Sequence, residues 1–321
     1  MVVTGGAGFI GANLCRALGP APDFDRVTVL DDFSTGLRDN LAGLTGIEIV
    51  EGSILDEGLF TDVCGEADAV VHLAARASVP RSLADPMATH EANATGTLRV
   101  LEAARRTSGA QVVVASSSSV YGANRALPAS EDTVSLPLSP YAASKLAAEA
   151  YALAYASSFG LPVAVFRFFN VFGPLQRADH AYAAVVPTFV SAALSGAPLP
   201  VHGDGGQTRD FTFVDSVVAI LVATLRRKTT TPTAVNLAFG GRHSLLELIG
   251  VLEDILGHPL ERHHEAPRPG DVRDSQADQT RLRALFPDQE PVDLADGLRA
   301  TISWFRTQVA AGASRTSPIP G

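Results

Sequence analysis

Cysteine, tryptophan and charged side chains are all scarce in this sequence. Its 321 residues include two cysteines and one tryptophan, and only 18% are charged against 46% that are hydrophobic. Two thiols cannot build a disulfide framework, and neither has His or Cys near it at metal-site spacing, so disulfide-stabilised and zinc modules are excluded. The hydrophobic content excludes a disordered chain. We expect Cys15 and Cys64 to be buried, reduced thiols, and we expect no bound metal.

Positive charge is also in deficit. The chain carries 25 Lys and Arg against 34 Asp and Glu, a formal charge of −9. This balance argues against broad binding to nucleic acid or to an anionic membrane. The longest uncharged stretch, 181–201, contains three prolines and a glycine, which favours a buried helix and a loop over a membrane span. No basic segment typical of a signal peptide opens the chain, so a cytoplasmic protein is expected.

The first half of the chain alternates short β-branched runs with longer Ala-rich stretches. Strands separated by helices specify βαβ units and a parallel sheet. Continuous apolar runs such as 112–115 suit strands that are covered on both faces. The fold predicted is therefore a Rossmann-like, doubly wound α/β sheet. We expect strands at 1–4, 26–30, 47–51, 69–73, 111–116 and 162–168, and helices at 9–18, 55–63, 90–106 and 140–159.

Glycine and proline become dense after Asn170, and the regular alternation is lost. We expect residues 1–170 to form the sheet domain, with return segments around 205–240, and residues 171–305 to form a smaller mixed α/β domain. Residues 306–321 are expected to be a disordered tail because of their Ala, Gly, Ser, Thr and Pro content. Open parallel sheets bind ligands outside the carboxyl ends of their strands, so the chemistry is expected there.

A glycine-rich turn follows the first strand. Gly5, Gly8 and Gly11 stand at G-x-x-G-x-x-G spacing directly before the first helix. Such glycines allow positive φ and let the backbone approach a pyrophosphate, which then lies at the helix N-terminus. The second strand ends in Asp31-Asp32, about 20 residues further on, where a carboxylate accepts hydrogen bonds from ribose hydroxyls and repels a 2′-phosphate. The pattern predicts a dinucleotide site and favours NAD over NADP.

Two further segments place hydroxyl groups and a Tyr–Lys pair near the strand ends. The serine run 116–119 follows an apolar strand, and Pro140 opens a helix that contains Tyr141 and Lys145. Residues four apart lie on one face of a helix. An ammonium beside a phenol favours the phenolate and lowers its pKa, so Tyr141 is predicted to remove a proton from a sugar hydroxyl while hydride leaves the carbon. A serine hydroxyl can hydrogen-bond the same oxygen.

Together these motifs carry a family resemblance. The glycine turn, the serine run ending in Val-Tyr-Gly (120–122), the Ser-Pro-Tyr-x-x-x-Lys segment and the run 167–174 resemble the extended short-chain dehydrogenase/reductase family. Within it, the chain is similar to nucleotide-sugar 4-epimerases of the UDP-glucose 4-epimerase type. The resemblance covers residues 1–305, nearly the whole chain.

The resemblance implies roles for the matching positions. Tyr141 would be the acid/base, Lys145 would also bond the nicotinamide ribose, and Ser117 would match the catalytic Ser/Thr of the family. Ser53 stands where the family usually has Asp beside the adenine. The residues expected to contact NAD are Gly5, Gly8, Phe9, Ile10, Gly11, Asp31, Asp32, Ser53, Ile54, Leu73, Ala74, Ala75, Asn93, Ser116, Tyr141, Lys145 and Phe168.

The resemblance also implies a UDP-sugar site. Arginines suit its pyrophosphate because the guanidinium fork offers paired donors to phosphate oxygens. The residues expected to contact the UDP-sugar are Ser117, Ser118, Ser119, Asn170, Arg177, Val185, Pro200, His202, Arg209, Arg268, Asp271 and Ser275.

The reaction implied is epimerisation at carbon 4 through a transient 4-keto sugar. Related dehydratases carry Asp-Glu directly after the catalytic Ser/Thr, and UDP-glucuronate decarboxylases carry Glu two residues before the Val-Tyr-Gly tyrosine. This chain has Ser118 and Ser119 at those positions, and neither can serve as a carboxylate acid or base. A dehydratase or decarboxylase is therefore an alternative, as is a non-catalytic NAD sensor, although a sensor is expected to lack the Tyr–Lys pair.

The sugar is predicted to be UDP-glucuronate, converted to UDP-galacturonate. Arg177 occupies a position that resembles the carboxylate-binding Arg of UDP-glucuronate 4-epimerases, and the run 117–119 would add hydroxyl donors. UDP-N-acetylglucosamine or UDP-glucose is the alternative, because the segments 181–187 and 240–245 resemble UDP-N-acetylglucosamine 4-epimerases. Ser275 leaves room for an acid or an acetamido group. The helices 90–106 and 140–159 resemble the pair through which family members form homodimers.

Overall fold

Seven parallel strands form the central sheet of the computed structural model, which describes residues 1–107, 109–179, 183–266 and 272–315. Along the chain the strands are β1 (Val2–Thr4), β2 (Val27–Asp31), β3 (Ile47–Glu51), β4 (Ala69–His72), β5 (Gln111–Ser117), β6 (Val163–Phe168), β7 (Asn170–Phe172), β8 (Leu199–His202), β9 (Thr208–Arg209), β10 (Phe211–Phe213), β11 (Val235–Leu237), β12 (His243–Ser244) and β13 (Arg262–Glu265). Their order across the sheet is β3-β2-β1-β4-β5-β6-β11. This order confirms the predicted Rossmann-like, doubly wound sheet, and its reversal between β1 and β4 opens a crevice for a ligand.

The helices connect these strands. They are α1 (Phe9–Leu18), α2 (Glu57–Cys64), α3 (Val79–Ala84), α4 (Pro86–His90), α5 (Gly96–Arg106), α6 (Pro140–Phe159), α7 (Val185–Ser195), α8 (Val214–Arg227), α9 (Leu245–Leu256), α10 (Thr280–Leu285) and α11 (Leu294–Arg315), with short 3-10 turns at Arg38–Leu41 and Ser118–Tyr121. The predicted helices 9–18 and 140–159 have the predicted bounds.

Residues 90–106 are helical as predicted, but the helical path has an earlier start and a different first part. The helical path begins earlier, because the Asp85 side chain caps Pro86–His90 by accepting a hydrogen bond from the Ala88 N–H at 3.0 Å. A π-helical turn, Glu91–Thr95, follows before α5 begins at Gly96. Turns of this kind occur inside helices next to functional sites, and sequence periodicity does not show them.

Local sequence sets the bounds of α6, the helix with the Tyr–Lys pair. The Ser139 hydroxyl accepts a hydrogen bond from the Ala142 N–H at 3.1 Å, and Pro140 occupies the first turn. The helix ends at Gly160, whose φ of +66° is left-handed. Proline at the first helical position and glycine after the last are the preferred signals for a start and a stop.

Two apolar clusters hold the helices to the two faces of the sheet. One contains Phe60 of α2, Val100 of α5 and Ala152 of α6 against β4, β5 and β6. The other joins α1 and α8 to the opposite face and continues without a break to α7, α9 and α11. The cysteines lie one in each cluster, buried and free, as predicted.

Three small strand pairs build the second half of the chain. β8 pairs with β13 and β7 with β10, both parallel, and β9 pairs with β12 antiparallel. The segment 183–201 forms α7 and β8, and its Phe189 and Val190 are buried. Within the described ranges, no helix has the length and apolar character that crossing a membrane requires.

The predicted disorder of residues 306–321 is wrong for the first part of that segment. Helix α11 continues to Arg315, so residues 306–315 are helical, while 316–321 lie outside the described residues. Buried Leu298, Ile302 and Phe305 anchor the helix in the core. The alanines at 310, 311 and 313 are strong helix formers, which lets the helix run on from that anchor.

Candidate active site

A cleft of about 690 Å³ opens at the carboxyl ends of β1, β2, β4, β5 and β6. It brings together all the residues expected to contact NAD except Asn93. These residues come from seven separate segments of the chain, and they meet because parallel strands place their carboxyl ends at one edge of the sheet. The predicted catalytic residues Tyr141, Lys145 and Ser117 line the same cleft.

The glycine turn provides bare backbone along one wall of the cleft. Gly5 has a φ of +69°, and a Cβ there would lie 2.7 Å from the backbone N of Ala74. At Gly11 a Cβ would lie 2.3 Å from the Gly5 carbonyl oxygen, which is well inside van der Waals contact. A Cβ at Gly8 would have one described atom within 4 Å, the Gly5 carbonyl oxygen at 3.2 Å, and it would project into the cleft that Gly8 lines. A phosphate group can approach the backbone at this point.

The N-terminus of α1 faces the same space. No side chain caps this helix, and the first-turn N–H groups of a helix have no partner within it. These donors and the positive end of the helix dipole favour an anion. The donor set and the bare turn therefore fit the pyrophosphate of a dinucleotide.

Asp31, the last residue of β2, is hydrogen-bonded to the backbone of the glycine turn. Its Oδ2 accepts a hydrogen bond from the Ala7 N–H at 2.9 Å, and its Oδ1 accepts one from the Phe33 N–H at 2.9 Å. Burial raises the pKa of Asp31, and these two backbone hydrogen bonds oppose the rise. Each carboxylate oxygen keeps further acceptor capacity for ribose hydroxyls. Asp32, the second predicted carboxylate, is exposed and bonds Ser34 instead.

Asp31→Ala is expected to weaken NAD binding by about tenfold to a hundredfold, because hydrogen bonds to a charged group contribute about 1.5–3 kcal/mol. The change also removes the acceptor of the Ala7 N–H and so loosens the glycine turn. Isothermal titration of NAD into protein stripped of its cofactor measures the effect. Asp32→Ala is the control, and equal weakening in both variants would contradict this role for Asp31.

Asn93 is buried outside the described lining of the cleft, and its role as a direct cofactor contact stays a prediction. The side chain is buried, and its Oδ1 accepts a hydrogen bond from the Arg76 N–H at 2.8 Å. Its Nδ2 donates to the Ser144 hydroxyl at 2.9 Å and to the Arg76 carbonyl at 3.4 Å. Both ends of the amide are therefore occupied by protein, and Asn93 ties the wall segment at Arg76 to the catalytic helix α6.

Tyr141, Lys145 and Ser117 meet where β5 ends. Ser117 is the last residue of β5, and Tyr141 and Lys145 lie in the first two turns of α6. The Lys145 Nζ donates to the Ala115 carbonyl oxygen at 2.8 Å, which fixes the ammonium at the end of the strand. A hydroxyl, a phenol and an ammonium are the groups needed to hold and move a proton at a substrate hydroxyl.

Burial controls the titration of this pair. It lowers the pKa of Lys145 to about 8. It raises the pKa of Tyr141, against a hydrogen bond with Ser117 that lowers it. The predicted lowering of the Tyr141 pKa by Lys145 is therefore wrong for the protein without cofactor. Burial destabilises the charged phenolate more than the hydrogen bond with Ser117 stabilises it.

Ser118 and Ser119, the rest of the serine run, continue the chain beyond Ser117. The Ser117 Oγ accepts hydrogen bonds from the Ser119 N–H at 3.2 Å and from the Ser119 hydroxyl at 2.9 Å. Ser118 and Ser119 belong to a 3-10 turn and lie outside the described lining of the cleft. The Ser119 hydroxyl therefore supports Ser117.

The residues predicted for the UDP half of the substrate also lie outside the described lining. The Arg209 Nη1 donates to the carbonyl oxygens of Thr208 at 2.8 Å and Arg273 at 3.0 Å. The Ser275 N–H donates to Thr208 O at 3.1 Å, so Arg209 and Ser275 are brought together around Thr208. The Asn170 N–H donates to the carbonyl oxygen of Asp210, the residue after Arg209, at 3.2 Å.

The other described members of that set lie on α7 and β8. Val185 begins α7, and the His202 Nδ1, at the end of β8, lies 3.3 Å from the carbonyl oxygen of Ala266. Pro200 lies in β8 beside β13. Arg268 and Asp271 lie outside the described residues.

Arg177 is engaged by a carboxylate of the protein itself. Its Nε donates to Asp179 Oδ1 at 2.7 Å and its Nη2 donates to Asp179 Oδ2 at 2.9 Å. The guanidinium is about one-third exposed, so the pair is in contact with solvent. The two guanidinium donors that were expected to bind a substrate carboxylate thus bind the Asp179 carboxylate instead.

The sequence analysis missed six polar residues of the cleft lining: Ser34, Thr35, Arg76, Arg81, Glu91 and Gln176. Arg76 directly follows the predicted contacts Leu73 to Ala75, so its position was a usable signal. Gln176 and Arg81 carried no local signal, because tertiary packing brings their segments to the cleft.

A dinucleotide-sized cleft with a glycine turn, a buried Asp after β2 and a Tyr–Lys–Ser group defines a dinucleotide-dependent enzyme site of the short-chain dehydrogenase/reductase type. Residues 1–238 match the model of the NAD dependent epimerase/dehydratase family, and the chain belongs to that family. Its cofactor is NAD. The predicted family and cofactor are both confirmed.

Similar proteins span nearly the whole chain. It is 38% identical over 317 residues to the UDP-glucose 4-epimerase of Mycolicibacterium smegmatis, with 96% of this chain and 98% of that protein covered. The structure is similar to the UDP-N-acetylglucosamine 4-epimerase from Methanobrevibacter ruminantium M1 in complex with UDP-N-acetylmuramic acid (TM-score 0.90, 34% identity, coverage 96% and 98%). It is also similar to the UDP-glucuronic acid 4-epimerase from Bacillus cereus in complex with UDP-glucuronic acid and NAD (TM-score 0.88, 30% identity, coverage 96% and 99%).

Proposed function

We propose that this protein epimerises carbon 4 of a UDP-sugar. The observation that carries the proposal is that Tyr141, Lys145 and Ser117 line the NAD cleft, while positions 118 and 119 carry serine. Elimination of water needs a further carboxylate acid or base, whereas oxidation and reduction at carbon 4 need only the tyrosine. The similarity to 4-epimerases named for three different UDP-sugars supports the same reaction.

Tyr141 and Ser117 have different roles in the proton transfer at the 4-hydroxyl of the sugar. The Tyr141 phenolate removes the proton of the 4-hydroxyl, and Ser117 hydrogen-bonds the same oxygen. Lys145, held at the end of β5 by the Ala115 carbonyl oxygen, would hydrogen-bond the nicotinamide ribose. The glycine turn and Asp31 would hold NAD, which when bound would supply a reversible hydride acceptor at carbon 4 and a positive ring charge that lowers the pKa of the phenol. The 4-keto sugar must present its opposite face before the hydride returns, so the UDP half has to stay bound while the sugar turns.

UDP-glucuronate is the substrate that we propose, with UDP-galacturonate as its product. Arg177 follows the strand end at β7 and offers a paired donor fork. Its partner Asp179 lies in a solvent-exposed pair, and such pairs contribute about 0–1 kcal/mol. A substrate carboxylate can therefore replace Asp179 at small cost. UDP-N-acetylglucosamine, or UDP-glucose, is the second candidate, because Arg177 is already neutralised by Asp179 and a neutral sugar leaves that pair intact.

Arg177→Ala is expected to raise the KM for UDP-glucuronate at least about tenfold, since hydrogen bonds between charged groups contribute about 1.5–3 kcal/mol. Its effect on a neutral UDP-sugar should be small. Initial rates of 4-epimer formation on UDP-glucuronate, UDP-N-acetylglucosamine and UDP-glucose, without added cofactor, measure the change. Asp179→Ala is the matched control, because it removes the competing carboxylate and should not raise that KM.

The possible outcomes distinguish an error in the proposed substrate from an error in the proposed reaction. Conversion of a neutral sugar alone, unchanged by Arg177→Ala, would remove Arg177 from the substrate site and keep the epimerase. No conversion of any of the three, with NAD verified in the protein, would contradict the epimerase itself.

A homodimer remains a prediction. Helices α5 and α6 pack side by side, and Tyr151 and Phe159 of α6 are exposed. A second copy docked on these helices would cover both aromatic rings.

A further inference from the structure

A strained turn carries Gln176 into the cleft. Leu175 has a φ of +71°, a left-handed conformation that costs free energy for a residue with a branched side chain. The Asn13 Nδ2 donates to the Pro174 carbonyl oxygen at 2.9 Å and to Phe9 O at 2.9 Å, so the turn is tied to α1. The strain is thus maintained by contacts to the helix that follows the glycine turn.

The Gln176 amide has one end occupied and one end open. Its Nε2 donates to the Val171 carbonyl oxygen at 3.2 Å. This contact fixes the orientation of the amide, because two carbonyl oxygens would repel at that distance. The other end, Oε1, is buried, and it has no hydrogen-bond donor among the described residues. A buried acceptor without a partner costs free energy, and a ligand that supplies a donor recovers that cost.

The position of Gln176 identifies the part of NAD that it faces. Asp31 marks the adenosine end of the cleft, and the N-terminus of α1 marks the pyrophosphate. Gln176 lines the cleft with Phe168, the last residue of β6, with Val171 of β7 and with the catalytic residue Tyr141. Strand β6 lies four strands across the sheet from β2, which carries Asp31. A dinucleotide that extends from Asp31 past α1 places its nicotinamide end here.

We propose that Gln176 Oε1 accepts a hydrogen bond from the carboxamide N–H of the nicotinamide and so fixes which face of the ring meets the sugar. The carboxamide is the group on that ring that offers an N–H donor. A ring held in one orientation delivers hydride from one face, and the proposed 4-epimerisation needs that face both to take and to return the hydride. The binding part of this inference rests on NAD alone, and only its consequence for turnover rests on the proposed function.

The test compares NAD with its 3-acetylpyridine analogue, in which a methyl group replaces the carboxamide NH2. Gln176→Met keeps the length of the side chain and removes the acceptor. Titration into cofactor-stripped protein, without any sugar, is expected to show that this variant binds NAD about tenfold more weakly, which corresponds to about 1.4 kcal/mol. Binding of the acetylpyridine analogue should be unchanged, so the wild-type preference for NAD over the analogue should disappear.

Gln207→Met is the matched control. Gln207 is a second glutamine with a buried, unpartnered Oε1, and its Nε2 donates to His202 O at 2.7 Å, outside the described lining of the NAD cleft. It should leave the preference for NAD intact. Equal weakening of NAD and analogue in Gln176→Met would overturn the proposal, as would unchanged binding of both, which would leave a sugar hydroxyl as the donor. Thermal melting of both variants checks that they are folded.

Discussion

Tyr141→Phe is expected to lower kcat for 4-epimer formation by about 10²–10⁴-fold, the usual contribution of a positioned acid or base. The Tyr141 phenol is placed in the cleft to take the 4-hydroxyl proton, and phenylalanine keeps the ring in its half-buried place on α6. NAD should therefore remain bound at the wild-type level. Turnover on UDP-glucuronate and the NAD content of the purified variant are the two measurements.

Tyr155→Phe is the control for this change. Tyr155 lies on the same helix, but its hydroxyl donates to Glu102 of α5 at 3.0 Å, and neither residue belongs to the described lining of the cleft. Its kcat should stay close to that of the wild type. Undiminished turnover in Tyr141→Phe would refute the mechanism, and loss of NAD from that variant would show that the tyrosine acts through cofactor binding instead.

The second large effect is expected at a buried ion pair beneath the site. Glu149, two turns after Tyr141 on α6, accepts hydrogen bonds from Arg167 Nε at 3.0 Å and Nη2 at 2.6 Å. Its Oε2 also accepts one from the Ser116 hydroxyl at 2.9 Å, and both charged side chains are only 6% exposed. Burial works to lower the pKa of Arg167, but the hydrogen bonds and charge of Glu149 raise it overall. The pair thus fastens the catalytic helix to β5 and β6.

Glu149→Ala is expected to lower the free energy of unfolding by about 3–5 kcal/mol, because it leaves the Arg167 charge buried without its partner. Urea unfolding followed by circular dichroism measures the loss. Replacing both residues, as Glu149→Leu with Arg167→Met, should cost less than the single change, since no buried charge remains.

Asp23→Ala provides the surface comparison. Asp23 pairs with Arg226 at 2.6 Å where both side chains are largely exposed, so Asp23→Ala should destabilise the protein much less than Glu149→Ala does. If Glu149→Ala cost no more than Asp23→Ala, the buried pair would not be what holds α6 in place.

The sheet was predictable because its signals are local. The six strands of the first half are short apolar runs, and their observed bounds differ from the predicted ones by no more than about a residue at each end. Tyr141 and Lys145 were equally accessible, since a spacing of four and a proline start place them on one face of one helix. The glycine turn and Asp31 followed from their position relative to two strands.

The remaining features depend on contacts between distant segments. β11 has only three residues and forms a strand because β6 offers it an edge. The open acceptor of Gln176, the pairing of Arg177 with Asp179 and the burial that raises the Tyr141 pKa all arise in the folded chain. Residue types and spacing could not reveal them, because each depends on how fully neighbouring atoms remove water or supply a partner.

The fate of a deuterium at carbon 4 tests the proposed reaction most directly. UDP-glucuronate labelled at that carbon would be incubated in ordinary water with the purified protein and no added cofactor, alongside UDP-N-acetylglucosamine and UDP-glucose labelled likewise. We predict that the 4-epimer of UDP-glucuronate forms and keeps its deuterium at carbon 4, because bound NAD takes the hydride and returns it to the same carbon. Loss of the label to water, or a dehydrated or decarboxylated product in place of the 4-epimer, would contradict the proposal.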